Sequence, residues 1–284
     1  MDLCWRRSSS NSSLEHRLWW LDSQVSSPHT DDHHPIGSVS MVTLTKGIDN
    51  LRLNMIKRYL RDSINRRLSA RSVFSKVYDK KKWGDKGSPF YSGPGSDDDF
   101  AIPYIELIDD FIEKHFPTGA DFVDLGCGDF RVGRKLVKKS KNIRYLGVDV
   151  VPKLIEYNQK HFGADNVKFS CLDLAEEPIP SGNVAAIRQV FQHLSNQQII
   201  QTYQKFDQYD AVFITEHYPK QIDRPNVDIA HGRHSRRKLN SAVLLDHSPF
   251  SLKNLSKVLT VPHRNSGEEL ITYLYLPKKG ESAQ

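Results

Sequence analysis

The sequence has few cysteines and no long apolar run. Its 284 residues include three cysteines, Cys4, Cys127 and Cys171, which lie far apart and without the short spacings of a metal site or a disulfide framework. No stretch approaches the roughly 20 apolar residues that a membrane-spanning helix requires. These absences predict a reduced, intracellular protein, and we expect it in the cytoplasm.

Residues 1–40 lack a sustained helical or strand period and contain ten serines. We interpret them as a disordered N-terminal extension. An organelle transit peptide is the alternative, but such peptides are poor in acids, and this segment has five acids against three arginines. The acids therefore favour a cytoplasmic location over organelle targeting.

Positive charge is concentrated in residues 41–90, which carry a net charge of +9, against −2 for residues 1–40 and −1 for residues 91–284. Apolar residues recur there every three or four positions among Lys and Arg, at Leu53, Ile56, Leu60, Ile64 and Leu68. This pattern predicts a basic arm with an amphipathic helix. Its apolar stripe could pack on the protein's own domain, or it could contact an anionic membrane surface or an acidic partner. Nucleic acid is disfavoured, because the arm does not resemble a nucleic-acid module with interleaved aromatic residues.

The most informative stretch is residues 121–133, DFVDLGCGDFRVG. Its apolar start predicts a buried parallel strand, and Gly126 and Gly128 then allow a ligand to approach the backbone closely. A helix predicted from about Arg131 would offer free N–H groups to that ligand. Asp149 ends a second apolar strand 21 residues beyond Gly128. An acid at about this distance binds ribose in nucleotide-binding α/β folds.

Two cofactors compete for such a turn. A dinucleotide needs a third glycine where Arg131 stands, and its pyrophosphate would meet the carboxylates of Asp124 and Asp129. The same carboxylates suit a cation, and S-adenosylmethionine carries an ammonium and a sulfonium. The remaining alternative is that the two glycines form a tight turn without any cofactor.

With Asp124, Gly126 and Gly128 in this order, the stretch resembles the first motif of the class I S-adenosylmethionine-dependent methyltransferase family, an acid followed by x-G-x-G. Phe130 stands where many members have a third glycine. The resemblance implies an α/β fold over residues 91–284: a Rossmann-like, seven-stranded, mostly parallel sheet with helices on both faces and a C-terminal antiparallel hairpin.

The rest of the chain continues this alternation. Two β-rich runs around residues 264–267, RNSG, predict the terminal hairpin, and Ser195 or Asn196 can cap a helix. Further strands are predicted at residues 145–149, 167–171, 185–190, 211–215, 257–262 and 270–276, and helices at residues 102–115, 152–162 and 196–206.

The resemblance also implies a set of cofactor-binding residues, which are Asp124, Gly126, Gly128, Asp149, Asp173 and Gln189. Asp149 is expected to bind the ribose hydroxyls, and Asp173 the amino group of adenine. Gln189 lies in a stretch similar to the family's fourth motif, beside the sulfonium. Capping of the next turn is the alternative role of Asp173.

The fourth strand lacks the signatures of several macromolecular substrates. Residues 188–191, RQVF, do not match the Asp/Asn-Pro-Pro-aromatic motif of enzymes that methylate the amino group of adenine. Neither Cys127 nor Cys171 is in register to act on a pyrimidine carbon, and the acid pair of protein arginine methylation is missing. These gaps favour a small-molecule substrate.

Residues 219–240 form a polar connection rich in His and Arg that leaves the carboxyl edge of the predicted sheet, where ligands bind in open α/β folds. We predict that it covers the substrate and supplies charge-assisted hydrogen bonds. The predicted substrate-binding residues are Asn226, Arg233 and Arg237 in this cover, together with Tyr91 from the turn-rich segment 83–96, which is a candidate lid. Arg236 is a further candidate donor. His231 and His234, three residues apart, are too weak a signal for a metal, and we predict none.

Methyl transfer to a hydroxyl needs a base, and His is best tuned for that role near neutral pH. His217 and His193 both follow strands on the cofactor side, so we predict His217 first and His193 second as catalytic residues. The sequence thus predicts an enzyme that uses S-adenosyl-L-methionine to methylate an oxygen of a small metabolite or sugar-like acceptor. The alternatives are a nicotinamide-dependent oxidoreductase and a non-catalytic scaffold with a basic interaction arm.

Overall fold

The computed structural model describes residues 41–263 and 266–277, with side chains from residue 53 onwards. The chain divides into two compact units, Met1–Arg52 and Leu53–Gln284. The predicted disordered extension and two residues of the predicted hairpin turn, Arg264 and Asn265, lie outside the described residues. Within the described part, every helix is too short or too polar to cross a membrane.

The helices among the described residues are numbered α1 to α6. They are α1 (Met41–Arg67), α2 (Ala70–Asp79), α3 (Asp98–His115), α4 (Arg131–Lys139), α5 (Pro152–Phe162) and α6 (Asn196–Tyr203). Ser195 caps α6 as predicted: its hydroxyl accepts a hydrogen bond from the N–H of Gln198, whose side chain accepts one from the N–H of Ser195. This capping box fixes where the helix begins.

The strands form one seven-stranded sheet in the order β3-β2-β1-β4-β5-β7-β6. They are β1 (Ala120–Leu125), β2 (Ile143–Asp149), β3 (Val167–Cys171), β4 (Val184–Arg188), β5 (Ala211–Tyr218), β6 (Leu255–His263) and β7 (Glu268–Tyr275). The first five strands are parallel, and β7 runs antiparallel to both β5 and β6. The predicted Rossmann-like sheet with a terminal hairpin is confirmed.

Apolar clusters cover both faces of the sheet. One contains Leu154 of α5 and Ile199 of α6, and the other contains Ile108 of α3 and Leu136 of α4; each of these four side chains is at most 1% exposed. Burial of one such side chain stabilises the fold by about 1.5–3 kcal/mol. With both faces covered, ligands can reach the parallel strands mainly at their carboxyl edge.

Helix α2, which lies within the basic residues 41–90, is part of the core. Ala70, Phe74 and Tyr78 are buried in the cluster that also contains Leu125 of β1. Their spacing of four residues places them on one face of the helix. This apolar face was not predicted from the sequence, because lysines and arginines are so frequent around it.

The stripe of α1 is exposed over the part of the helix whose side chains are described. Leu53, Ile56, Leu60 and Ile64 are 48–57% exposed. The structure therefore does not pack this stripe against the rest of residues 53–277. The end of α1 is nevertheless attached, because the side-chain amide of Asn65 donates to the carbonyl of His231 at 2.9 Å.

Candidate functional site

A cavity of about 520 Å³ lies at the carboxyl edge of the parallel strands. This volume is in the range of small-molecule sites. Its lining includes ten of the twelve residues predicted for the site, which are Asp124, Gly126, Gly128, Asp149, Asp173, Gln189, His193, His217, Arg233 and Arg237.

The turn after β1 requires both of its glycines. Gly126 has a φ of +89°, and a Cβ there would lie 2.3 Å from Cγ2 of Val190. Gly128 has a φ of +54°, and its Cβ would lie 2.3 Å from Oγ of Ser92. The glycines thus allow two neighbouring protein segments, as well as any ligand, to approach this backbone.

Asp129 does not face the cavity, in contrast to its expected role beside a cationic cofactor. Its carboxylate accepts the N–H of Ser92 at 3.1 Å and lies 3.5 Å from the guanidinium of Arg131. Its own N–H donates to Oγ of Ser92 at 2.8 Å. Asp129 therefore attaches the segment 92–96, part of the predicted lid, to the glycine turn.

Asp124, near the end of β1, is a partly buried carboxyl group with one hydrogen-bond donor, the hydroxyl of Tyr145, at 2.6 Å. Burial raises the pKa of Asp124 to about 6, although the Tyr145 hydrogen bond and the charge of Arg188 oppose this shift. A cation bound in the cavity would stabilise the ionised form of this group.

Asp149 ends β2 and is held against the glycine turn. It accepts the N–H of Gly128 at 3.2 Å on one oxygen and the N–H of Val151 at 3.1 Å on the other. Burial raises its pKa to about 6, and these backbone donors oppose the shift. Each carboxylate oxygen can accept a second hydrogen bond, so ligand hydroxyls can still bind here.

Asp173, after β3, lines the same cavity but also stabilises its own turn. One carboxylate oxygen accepts the N–H of Ala175 at 3.0 Å. The two roles considered from the sequence, adenine contact and turn capping, are therefore compatible, because no donor among the described residues uses the second oxygen.

The end of β4 meets the predicted lid directly. Gln189 has a φ of +58°, and its side-chain amide donates to the carbonyl of Gly95 at 3.3 Å. A Cβ at Gly95 would lie 2.2 Å from that amide nitrogen. The lid segment 92–96 thus contacts both the turn after β1 and the end of β4.

His193 is a neutral imidazole in the cavity wall. Its Nδ1 lies 3.4 Å from the carbonyl oxygen of His234, and its Nε2 lies 3.3 Å from Nε2 of Gln192. A proton on Nδ1 satisfies both contacts. Burial lowers the pKa of His193 to about 4, against the opposing effect of the backbone contacts.

His217 lies between a cation and an anion. Its Nε2 is 3.2 Å from a carboxylate oxygen of Glu268 and 3.3 Å from Nη1 of Arg237, which also donates to Glu268 at 2.7 Å. Burial and the charge of Arg237 lower the pKa of His217 to about 4, and Glu268 opposes the shift. The imidazole is therefore neutral at pH 7, and Glu268 fixes its orientation.

The cover predicted at residues 219–240 contributes its second half to the cavity, through Arg233, His234, Ser235, Arg237 and Lys238. Arg236 differs from the expectation that it contacts a substrate. It is 1% exposed and donates to the carbonyls of Phe191, Leu194 and Val227 and to the side chain of Asn196. Arg236 joins the cover to the turn after β4.

Two predicted substrate residues lie outside the cavity lining. Asn226 is 5% exposed, and its side-chain amide donates to the carbonyls of Leu244 and Ser248, while its oxygen accepts the N–H of Leu244. Tyr91 is 7% exposed and lies under the guanidinium of Arg131, 4.7 Å from the ring centroid. Both side chains are used to hold loops in place.

Several lining residues were not predicted from the sequence. Phe74 and Tyr78 come from α2, which was assigned to the arm, and Trp83 stands 5.4 Å from the ring of His193. His263 of β6 stacks on both Phe100 and His217. The apolar spacing of α2 was a usable signal, whereas the place of His263 depends on strand pairing that single-strand patterns do not reveal.

Among residues 41–263 and 266–277, no group of three or more His, Cys, Asp or Glu side chains has the arrangement of a metal site. His231 does not join His234 at the cavity. Its ring faces Phe74, at a centroid distance of 6.3 Å, instead.

Comparison with known proteins gives partial matches. Residues 122–209 match a family described as a methyltransferase domain. A malonyl-[acyl-carrier protein] O-methyltransferase of Acetivibrio thermocellus is 31% identical over 67 residues, or 24% of each chain. The chain thus spans about a quarter of the length of this curated relative.

Solved structures with similar folds are more distant in sequence. The N-methyltransferase NodS of Bradyrhizobium japonicum, in complex with S-adenosyl-L-homocysteine, is 10% identical, with 72% of this chain and 99% of that chain covered and a TM-score of 0.49. The 1,6-didemethyltoxoflavin-N1-methyltransferase of Burkholderia thailandensis is 14% identical, with 73% and 86% covered and a TM-score of 0.47.

Proposed function

We propose that the protein is a class I S-adenosylmethionine-dependent methyltransferase and that it transfers a methyl group from S-adenosyl-L-methionine to an oxygen of a small acceptor. The match of residues 122–209 to a methyltransferase domain supports this proposal. The observation that carries the proposal is one cavity in which the carboxyl ends of β1 and β2 place Asp124 and Asp149 beside the turn of Gly126 and Gly128.

The residues present fit a cationic donor. Asp124 is a partly buried acid with a single hydroxyl partner, and such a group is stabilised in its ionised form by an ammonium or sulfonium. We assign the ribose hydroxyls to Asp149 and the adenine amino group to Asp173. The bound donor supplies an electrophilic methyl group whose departure leaves a neutral thioether, so the protein needs no acid for the leaving group.

The protein's own residues then align the acceptor and remove its proton. Alignment alone can lower a barrier by about 7–11 kcal/mol. We assign proton removal to His217, because its imidazole is neutral at pH 7 and is oriented by Glu268 at 3.2 Å. Its low pKa makes it a weak base, so this role suits an acidic hydroxyl. His193 is the second candidate.

The nicotinamide oxidoreductase alternative is less well supported. A pyrophosphate at the start of α4 would come near the carboxyl groups of Asp124 and Asp149. Arg131 also stands where a dinucleotide turn has its third glycine. The second alternative is a non-catalytic scaffold protein, which would have the same pocket but would show no turnover.

Incubation of the purified protein with methyl-labelled S-adenosylmethionine and a small-molecule cell extract tests the proposal. We expect label in a product of low molecular mass, with the methyl group on oxygen when the product is examined by mass spectrometry and NMR. Label on nitrogen would refute the assigned acceptor atom alone. A protein that binds the donor but labels nothing in any extract would favour the scaffold.

The exposed part of α1 supports a second proposal, which is docking on an anionic membrane surface. Residues 53–67 carry a net charge of +4 beside the exposed stripe of Leu53, Ile56, Leu60 and Ile64. Apolar side chains flanked by Lys and Arg match the acyl boundary and headgroups of an anionic lipid layer.

Vesicle sedimentation tests this docking. We expect binding to phosphatidylcholine vesicles that contain phosphatidylserine, weak binding without it, and loss of binding in an Ile56→Ser/Leu60→Ser variant. Ile102→Ser is the matched control, because Ile102 is 46% exposed on α3. Equal behaviour of all three proteins would exclude the docking, and binding to polyglutamate in place of vesicles would indicate an acidic protein partner.

A further inference from the structure

Arg188, the last residue of β4, is a cation in the wall of the cavity with an incomplete set of partners. One terminal nitrogen, Nη2, donates to the carbonyls of Gly95 at 2.7 Å and Phe100 at 3.3 Å. Its Nε is buried and has no hydrogen-bond partner, and its guanidinium lies over the ring of Tyr104 at 5.2 Å.

No carboxylate among the described residues forms an ion pair with Arg188. The acids whose charges act on it, Asp124 and Glu216, have other partners: Asp124 accepts from the hydroxyl of Tyr145, and Glu216 accepts backbone N–H groups. Backbone carbonyls satisfy donors but do not neutralise a charge. A partly buried cation without a counter-charge is costly, and desolvation indeed lowers the pKa of Arg188.

Arg236 is a buried arginine with a structural role, and its guanidinium has a full set of hydrogen-bond acceptors. All three of its nitrogens donate, to three backbone carbonyls and one side-chain oxygen. Arg236 does not line the cavity, whereas Arg188 does. Among the described residues no group accepts a hydrogen bond from Nη1 of Arg188, so this nitrogen is available to a ligand in the cavity.

The charges of the cavity are segregated along the sheet. The acids of the lining lie on one half of the sheet, with Asp124 and Asp149 at the carboxyl ends of β1 and β2 and Asp173 after β3. The cations lie on the other half, with Arg188 at the end of β4 and Arg233, Arg237 and Lys238 in the connection after β5. A ligand group bound in this second half meets positive charge and neutral imidazoles.

We propose that Arg188 anchors a subsite of the cavity that binds the carboxylate or phosphate group of a ligand. A guanidinium presents N–H donors and a positive charge to such a group, which supplies the absent counter-charge. This proposal rests on the proposed function for the identity of the ligand, since the anionic group could belong to the methyl acceptor or to the amino-acid end of the donor.

The test is calorimetry on the full-length protein with four probes: S-adenosylhomocysteine, methylthioadenosine (which lacks the amino-acid end), malonate and inorganic phosphate. The main variant is Arg188→Met. If it does not fold, Arg188→Lys, which keeps the positive charge but loses the paired guanidinium donors, takes its place. Arg144→Met is the control, because Arg144 of β2 pairs with Asp121 on the exposed surface.

Two results support the subsite and identify its source. A loss of about tenfold or more for S-adenosylhomocysteine in Arg188→Met, with methylthioadenosine unchanged, assigns the anion to the donor. Unchanged nucleoside binding, with saturable malonate or phosphate binding that is present in the native protein and lost in Arg188→Met, assigns it to the acceptor.

Two results would overturn the subsite. The first is equal binding of all four probes by the native protein, Arg188→Met and Arg144→Met. The second is a native protein that binds neither malonate nor phosphate, with both nucleosides bound equally well by all variants. Failure of the proposed function has a different signature. The native protein would then bind neither nucleoside, and the malonate and phosphate measurements on the protein alone would still decide whether Arg188 binds anions.

Discussion

Glu216 and Arg236 hold the two ends of the same turn after β4. The carboxylate of Glu216 accepts the N–H groups of Phe191 at 2.9 Å and Gln192 at 3.0 Å, while Arg236 donates to the carbonyls of Phe191 at 3.0 Å and Leu194 at 2.8 Å. This turn carries His193 into the cavity wall. Glu216 and Arg236, which are both buried, therefore determine the shape of the site without lining it.

The first prediction concerns that pair. Arg236→Met leaves at least two buried carbonyls without donors and should lower the free energy of unfolding by about 3–5 kcal/mol. Its chain neighbour provides the control: Arg237→Met, at a side chain 34% exposed, should change stability by less than about 1 kcal/mol. Denaturant unfolding measures both, and equal effects would show that the contacts of Arg236 do not stabilise the fold.

The second prediction concerns the glycine turn. Gly126→Ala should destabilise the protein by more than Gly87→Ala and should weaken binding of S-adenosylhomocysteine, because its Cβ would overlap Val190 at 2.3 Å. Gly87 has a similar positive φ, +76°, but nothing lies within 4 Å of its Cβ, so its replacement should cost about 1–2 kcal/mol from backbone strain alone. If Gly126→Ala and Gly87→Ala had the same free energy of unfolding and the same affinity for S-adenosylhomocysteine, the close approach of Val190 to Gly126 would contribute to neither.

The third prediction concerns pH. In the protein alone, the pKa values of Asp124 and Asp149 are raised to about 6, so both groups hold protons more tightly than in the unfolded chain. Their contribution to stability is thus greatest at low pH and falls as pH rises from about 4 to about 6. Binding of the donor needs the ionised carboxylates, so the affinity for the donor should rise as pH rises.

Affinity for S-adenosylhomocysteine should therefore rise between pH 5 and pH 7, by about tenfold for each carboxylate that must ionise. Calorimetry across this range measures the slope. In Asp124→Asn the slope should be shallower and the affinity at pH 7 lower. A native affinity that does not vary between pH 5 and pH 7 would contradict the roles given to these acids.

The fourth prediction concerns the base. His217→Gln should lower kcat by about 10²–10⁴-fold with a smaller change in KM for the donor, because proton removal occurs during the chemical step. His193→Gln should have the smaller effect. His247→Gln is the control, since His247 is exposed and pairs with Asp246 away from the cavity. Turnover at neutral pH that survives both active-site replacements would exclude a histidine base.

The part of the fold that could be predicted from the sequence rests on local signals. The apolar run before Gly126, the acid at Asp149 and the capping residue Ser195 each act within a few positions of the chain, so their patterns were sufficient. The sheet and its terminal hairpin followed from their order.

The remaining features depend on contacts between distant segments. Arg236 was predicted to donate to a substrate, but it donates instead to residues some 40 positions away, in the turn after β4. Asn226 was predicted to contact a substrate and instead holds residues 244–248. The lack of a counter-charge at Arg188 is visible only when Asp124 and Glu216 are seen with their own partners.

The central claim is that the turn between β1 and α4 binds a cationic methyl donor rather than a dinucleotide. Calorimetric titration of the native protein with S-adenosylmethionine, and separately with NADH and NADPH, tests it most directly. We predict binding of S-adenosylmethionine at one site per chain, in the range of roughly 1 μM to 1 mM that is usual for enzyme substrates, at least about tenfold weaker binding by Asp149→Asn, and no binding of either dinucleotide. Binding of NADH or NADPH without binding of S-adenosylmethionine would contradict the account.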